Sequence, residues 1–94
     1  MLKTLEDLIK IIRERKLSSD DSSYTSKLLR DKSLSKEKVK EEISELIEAV
    51  ENNSNKVHEA ADVLYHLLVY LEGNRVSIED IMDELEKRKK KKES

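Results

Sequence analysis

Two acidic pairs stand at helical spacing in otherwise apolar surroundings. Glu42 and Glu45 lie in Glu41-Glu42-Ile43-Ser44-Glu45, and Glu59-Ala60-Ala61-Asp62 follows after thirteen intervening residues. The second pair runs straight into Val63-Leu64-Tyr65-His66-Leu67-Leu68-Val69-Tyr70-Leu71. A carboxylate beside so apolar a run is expensive to bury unless a positive group meets it. At about 100° per residue, the members of each pair sit roughly 60° apart on one helix face. His66 continues the face of Asp62 one turn further on. Two facing helices could therefore aim Glu42, Glu45, Glu59 and Asp62 into one gap. Without a cation such a cluster repels itself and takes up protons. A hard ion such as Mg²⁺, which takes oxygen ligands and shares them with substrate phosphates, relieves the conflict. The spacing alone fits a solvated acidic face as well, an arrangement that suits Glu41 and Glu48. It suits Asp62 poorly, since Ala61, Val63 and Leu64 surround it. His66 reads as a support for the ligands or a packing residue, because Mg²⁺ prefers oxygen.

Helices must carry these pairs. Thr4-Leu5-Glu6-Asp7 has the form of a capping box, and Leu5, Leu8, Ile9 and Ile12 follow at helical spacing. That predicts a first helix from about Leu5 to Lys16. A Ser- and Asp-rich loop covers Ser18 to Thr25, and a short helix covers Tyr24 to Arg30. Ser35 is the expected N-cap of a long helix reaching about Glu51, with Val39, Ile43, Leu46, Ile47 and Val50 as its apolar stripe. Asn52-Asn53-Ser54-Asn55 is a turn cluster. The next long helix runs from about Lys56 to Glu72 and is expected to stop at Gly73, the only glycine, in a left-handed cap. Ser77 opens the last helix, with Ile78, Ile81, Met82 and Leu85 as its inner face. The charge run from Lys87 to Ser94 is expected to be frayed, so that residues 88–94 form a flexible basic tail on a single domain covering 1–94. Val63, Leu64, Leu67, Leu68, Val69 and Leu71 do not fit on one stripe, so their helix should be buried on several sides.

The whole is an all-α bundle of about four helices. A chain of 94 residues has few elements with which to surround that helix. An intertwined homodimer is therefore expected to complete the core, burying Leu64, Leu67, Leu68 and Leu71 partly against a second copy. Charged residues make up 43% of the chain, yet the formal net charge is only −2. This excludes the basic excess of a nucleic-acid-binding domain. The longest apolar run is too short to span a bilayer, and the N-terminus alternates charge with Leu and Ile unlike a signal peptide. The absence of Cys removes thiolate metal sites and is compatible with a reducing cytoplasm. No Ser-His-Asp arrangement or Gly-rich phosphate loop offers a competing chemistry.

The acid pattern, Glu-x-x-Glu followed on the next helix by Glu-x-x-Asp, resembles that of the MazG-like superfamily of all-α nucleoside-triphosphate pyrophosphohydrolases. Within it the chain is most similar to the phosphoribosyl-ATP pyrophosphatase family. Leu5-Glu6-Asp7-Leu8, Glu14-Arg15-Lys16, Ser22 to Leu29, Glu59 to Val69 and Val76 to Arg88 carry that likeness in order, over nearly the whole chain. Ser23-Tyr24-Thr25-Ser26-Lys27-Leu28 and Asp62-Val63-Leu64-Tyr65-His66-Leu67-Leu68 are its more specific segments. The chain departs from the family at Glu37-Lys38-Val39-Lys40-Glu41-Glu42, where Lys-Lys-Val-Gly-Glu-Glu is common. The resemblance implies a homodimer, dependence on Mg²⁺ and hydrolysis of phosphoribosyl-ATP to phosphoribosyl-AMP and pyrophosphate in histidine biosynthesis. It implies that Glu42, Glu45, Glu59 and Asp62 hold the metal and carry catalysis. Arg15, Lys16, Lys27 and Lys38 are then candidates to hold phosphate oxygens, with hydroxyls from Ser23, Tyr24 and Thr25 at the loop edge. A pyrophosphohydrolase acting on other nucleoside triphosphates, or a non-catalytic helical dimerisation module, are the alternatives.

Overall fold

The computed structural model describes residues 1–93, with side chains through Lys91. Five helices follow one another: α1 (Lys3–Leu17), α2 (Tyr24–Arg30), α3 (Lys32–Asn52), α4 (Lys56–Gly73) and α5 (Ile78–Glu93). No strand occurs among the described residues. The count exceeds the expected bundle of about four by the short α2, which spans the residues its pattern predicts. No helix among the described residues is long and apolar enough to cross a membrane.

The core gathers Ile9 and Ile12 from α1, Leu28 from α2, and Leu68 and Val69 from α4, with Leu5, Leu8, Leu29, Leu34, Tyr65 and Ile78 packed around it. Ile12 and Val69 are fully buried. Each contributes about 1.5–3 kcal/mol through removal of its side chain from water. Leu68 thus faces its own chain's core, against the expectation that a second copy covers it. Leu64 remains half exposed.

Helix α3 turns Ile43, Ile47 and Val50 of its expected stripe outward, with Val39 and Leu46 half-buried. The residues it buries are Ser35, Glu42 and Ala49, spaced seven apart along one face. Ile43, Ile47 and Val50 are exposed by 41%, 55% and 56%. The most buried positions of α3 are therefore small or polar.

Helix ends differ from their predicted caps in three places. Helix α1 starts at Lys3 with Leu2 as N-cap and no side-chain cap, so the Thr4 capping box does not form. Lys3 pairs instead with Asp7 one turn on. Helix α3 begins a turn before Ser35, because the Asp31 carboxylate accepts from the Leu34 N–H at 3.0 Å. An Asp at this position satisfies a first-turn donor as well as a Ser. At the end of α4, Gly73 is still helical and the left-handed residue is Arg75, with φ 63°. The Val76 N–H reaches the Leu71 carbonyl and the Arg75 N–H that of Glu72, the paired bonds of a Schellman turn. Asn53 ends α3 the same way, with φ 53° and bonds from Ser54 to Ala49 and from Asn53 to Val50. Helix α5 opens as predicted, the Ser77 hydroxyl accepting from Asp80 N–H. It continues through the basic run to Glu93, with exposed side chains from Met82 through Lys91, while Ser94 lies outside the described residues.

Candidate active site

The turn over Asn53 to Asn55 folds α4 back along α3 and brings the two acidic pairs together. Glu42 is 7% exposed, and its Oε2 is buried without a hydrogen-bond partner. Oε2 of Glu59 is in the same position. The Glu42 carboxyl lies within reach of Glu45 and feels Asp62, and the Glu59 carboxyl lies within reach of Glu45 and feels Asp62 too. The four predicted carboxylates are therefore neighbours across the α3–α4 seam, with their ligand atoms in two groups, one on each helix. Two ionised carboxylates cannot hydrogen-bond each other, so these contacts call for a proton or a cation. Burial first, and then Glu45, push the Glu42 and Glu59 carboxyls above their ordinary value.

The donor set suits a hard cation. Glu41, Glu42 and Glu45 can each offer one ligand atom within 4.8 Å of the others, as can His58, Glu59 and Asp62. Orphaned, buried carboxylate oxygens are what such an ion would satisfy. His58 is an addition to the predicted set. Its Nε2 lies 3.4 Å from Asp62 and 3.8 Å from Glu59. The signal was its place one turn before Asp62 on the same face.

Helix α2 stands beside this gap. Ser23 is its N-cap: the Ser23 hydroxyl accepts from Ser26 N–H at 3.0 Å and donates to the Ser26 hydroxyl at 2.9 Å. The fully buried Ser26 hydroxyl in turn donates to the Asp20 carbonyl, and Arg30 ties down Asp21 and the Ser18 carbonyl. The serine-rich loop is thus a hydrogen-bonded unit, a role for Ser26 and Arg30 that no motif announced. Tyr24 reaches across to His66, and Thr25 to the Tyr65 hydroxyl. Burial pushes the Tyr24 phenol up, opposed by the nearby Lys38 ammonium. Lys38 itself pairs with Glu41 at 3.4 Å, which raises its own pKa. Lys27 is exposed on α2.

The α1 cations lie elsewhere. Lys16 donates to the Glu72 carbonyl at 2.7 Å, at the far end of α4. Ten residues of helix, about 15 Å at 1.5 Å per residue, separate that contact from Asp62. Arg15, in the same last turn of α1, is exposed and near Asp20. Arg13, absent from the predicted set, binds Glu72 at 3.0 Å and Glu79 at 2.6 Å, fastening α5 to α1 and α4.

The chain matches the phosphoribosyl-ATP pyrophosphohydrolase family over residues 5–89. It belongs to that family. A phosphoribosyl-ATP pyrophosphatase of Methylobacterium nodulans is 43% identical over 88 residues, covering 90% of this chain and 82% of that protein. Another from Methanosarcina acetivorans is 42% identical over 95 residues, covering 96% and 91%. The histidine biosynthesis bifunctional protein HisIE of Pyrococcus furiosus is 40% identical over 90 residues, which make up 95% of this chain and 43% of that one. No solved structure matches. Family membership reaches past the acid gap, since the match takes in both the latched α2 segment and the start of α5.

Proposed function

We propose that the chain hydrolyses phosphoribosyl-ATP to phosphoribosyl-AMP and pyrophosphate, with Mg²⁺ held by Glu42, Glu45, Glu59 and Asp62. The observation that carries this reading is the pair of buried, partnerless oxygens on Glu42 and Glu59 inside a four-carboxylate gap. Mg²⁺ bound there supplies charge neutralisation for the triphosphate and lowers the pKa of water. The four carboxylates would hold the cation, and one of their oxygens would accept a proton from the attacking water. The α3–α4 seam keeps these groups on one side of the chain. Lys38, paired with Glu41, and Lys27, exposed on α2, would be charge-assisted donors to phosphate oxygens, with hydroxyls from the Ser23 to Thr25 edge.

The active form in this reading is a homodimer. Ile43, Ile47, Val50 and Leu64 form exposed apolar surface on the outer side of the α3–α4 hairpin, and a second copy would cover it. A sedimentation run at micromolar concentration should give twice the chain mass, and a monomer there would remove the dimer from the proposal.

Pyrophosphate release from phosphoribosyl-ATP, set beside ATP and dITP, tests the substrate. Release should require Mg²⁺ and strongly favour phosphoribosyl-ATP. Asp62→Asn should lose most of it while remaining folded. Equal turnover of dITP would favour a pyrophosphohydrolase of broader taste, and full activity in Asp62→Asn would sink the metal assignment.

A further inference from the structure

Tyr24 and His66 form a two-link chain to the backbone of the acid gap. A carbonyl only accepts, so His66 Nδ1 carries the proton in its 2.9 Å bond to the Asp62 carbonyl. In the neutral ring Nε2 is then an acceptor, and the Tyr24 hydroxyl donates a hydrogen bond to it at 3.1 Å. One residue on, Thr25 is bonded to the Tyr65 hydroxyl. The Tyr65 ring lies edge-on to His66 at 4.9 Å and is stacked with Tyr24 at 6.4 Å. Two consecutive residues of α2 are thus latched to two consecutive residues of α4. His66 is 7% exposed and Tyr24 46%, so the latch runs from the interior to the rim of the gap.

The latch joins α4 one turn past Asp62, away from Glu59. It therefore sets Tyr24, at the start of α2, near Lys38 and Glu42 on that side of the gap. A cation held by the acids serves the triphosphate. The second phosphate of phosphoribosyl-ATP, on the far side of the nucleoside, would lie beyond that cation and call for side-chain donors of its own. We infer that His66 is a positioning residue for substrate choice. By fixing Tyr24 against α4 it holds the α2 edge beside the acids, where that edge would meet the part of the substrate beyond the triphosphate. This rests on the phosphoribosyl-ATP reading above and adds to it the residue that sets specificity.

Tyr24→Phe keeps the ring and removes the link. His66→Asn keeps a donor for the Asp62 carbonyl and removes the acceptor for Tyr24. Each should raise KM for phosphoribosyl-ATP about tenfold, the scale of one lost hydrogen bond in a bound site, with kcat within about twofold. Combined, they should cost no more than either alone, as links of one chain do. Mn²⁺ affinity by electron paramagnetic resonance should not move, because it reports on the acids alone, and inhibition by Mg-pyrophosphate, which adds the phosphate-holding lysines, should stay within about twofold. An unchanged KM in Tyr24→Phe overturns the inference, and so does a pyrophosphate Ki that rises in step with KM, since a general loosening of the site does that. If His66→Asn fails to fold, Tyr24→Phe, altered at the exposed end of the latch, still decides. A parent enzyme that leaves phosphoribosyl-ATP intact fails the substrate reading itself, a result separate from any variant's.

Discussion

Glu42→Gln offers the sharpest test of the acid gap because its effect should change with the metal. Glu42 is 7% exposed, with Oε2 buried and partnerless and with Glu45 and Asp62 nearby. A buried polar group left unpaired costs about 1–3 kcal/mol. The amide removes one charge from the gap and gives donors that the Glu45 carboxylate can accept. In EDTA the variant should therefore be steadier by about 1 kcal/mol, which for a chain of this length is about 4–8 °C in Tm. With Mg²⁺ at about ten times the parent's Kd, the parent gains about 1.4 kcal/mol by mass action. A variant whose affinity is about tenfold weaker gains only about 0.4 kcal/mol. The two melting curves, about 1 kcal/mol apart in EDTA, should then nearly coincide in Mg²⁺. Differential scanning fluorimetry at one protein concentration, with and without Mg²⁺, reads both numbers. A variant that melts below the parent in EDTA would refute the reasoning, as would a Mg²⁺ shift equal to the parent's.

The carboxyls also predict a pH dependence. Glu42 and Glu59 have folded-state values above the ordinary 4.5, so in EDTA stability should fall as pH rises above about 4.5 through that window. Saturating Mg²⁺ should flatten the slope, and a chelated protein equally stable at pH 5 and 8 would contradict it. Glu79 works the other way: its bond to Arg13 lowers it to about 2, so its contribution is present above about 4.5 and lost towards about 2. Lys16→Ala should lower stability by about 0.3–1 kcal/mol, the usual worth of a cation at a helix C-terminus, and leave kcat/KM unchanged. Lys27→Ala should do the reverse, losing about 1.5–3 kcal/mol of binding to a charged group with Tm unmoved, and steady-state kinetics beside melting separates the two. Gly73→Ala should stabilise by about 0.5–1 kcal/mol. Gly73 is helical, and an added Cβ would meet Leu29 Cδ2 at an ordinary 3.6 Å. A lower Tm in that variant would mean that the Leu29 contact is tighter than it looks.

Periodicity made the helices legible, down to the seven residues of α2. Their ends were harder, because several residue types can do the same capping work. Asp31 supplied the acceptor expected of Ser35. The Schellman bonds after α4 hold Arg75 in a conformation for which glycine is the usual choice. The acid gap was readable because i, i+3 spacing fixes which carboxylates share a face. What that spacing cannot reveal is a partner distant in sequence. Arg13 and Glu72 meet across 59 positions, and nothing local distinguishes Arg13 from Arg15 or Lys16. The outward turn of Ile43, Ile47 and Val50 was hidden for a related reason. A helical stripe says that residues share a face and leaves open which neighbour that face meets.

The closure of the acid gap within a single hairpin also bears on inheritance. All four carboxylates come from α3 and α4 of the same chain, on the side away from the exposed apolar residues. In a homodimer of the kind proposed, a chain with Asp62→Asn would therefore leave the intact partner's gap unspoiled. In a mixed population, activity should fall in direct proportion to the share of defective chains, and not with its square. A lesion in the acids would then behave as recessive. If the outer apolar face is the seam of that dimer, a lesion there would weaken every pair it entered.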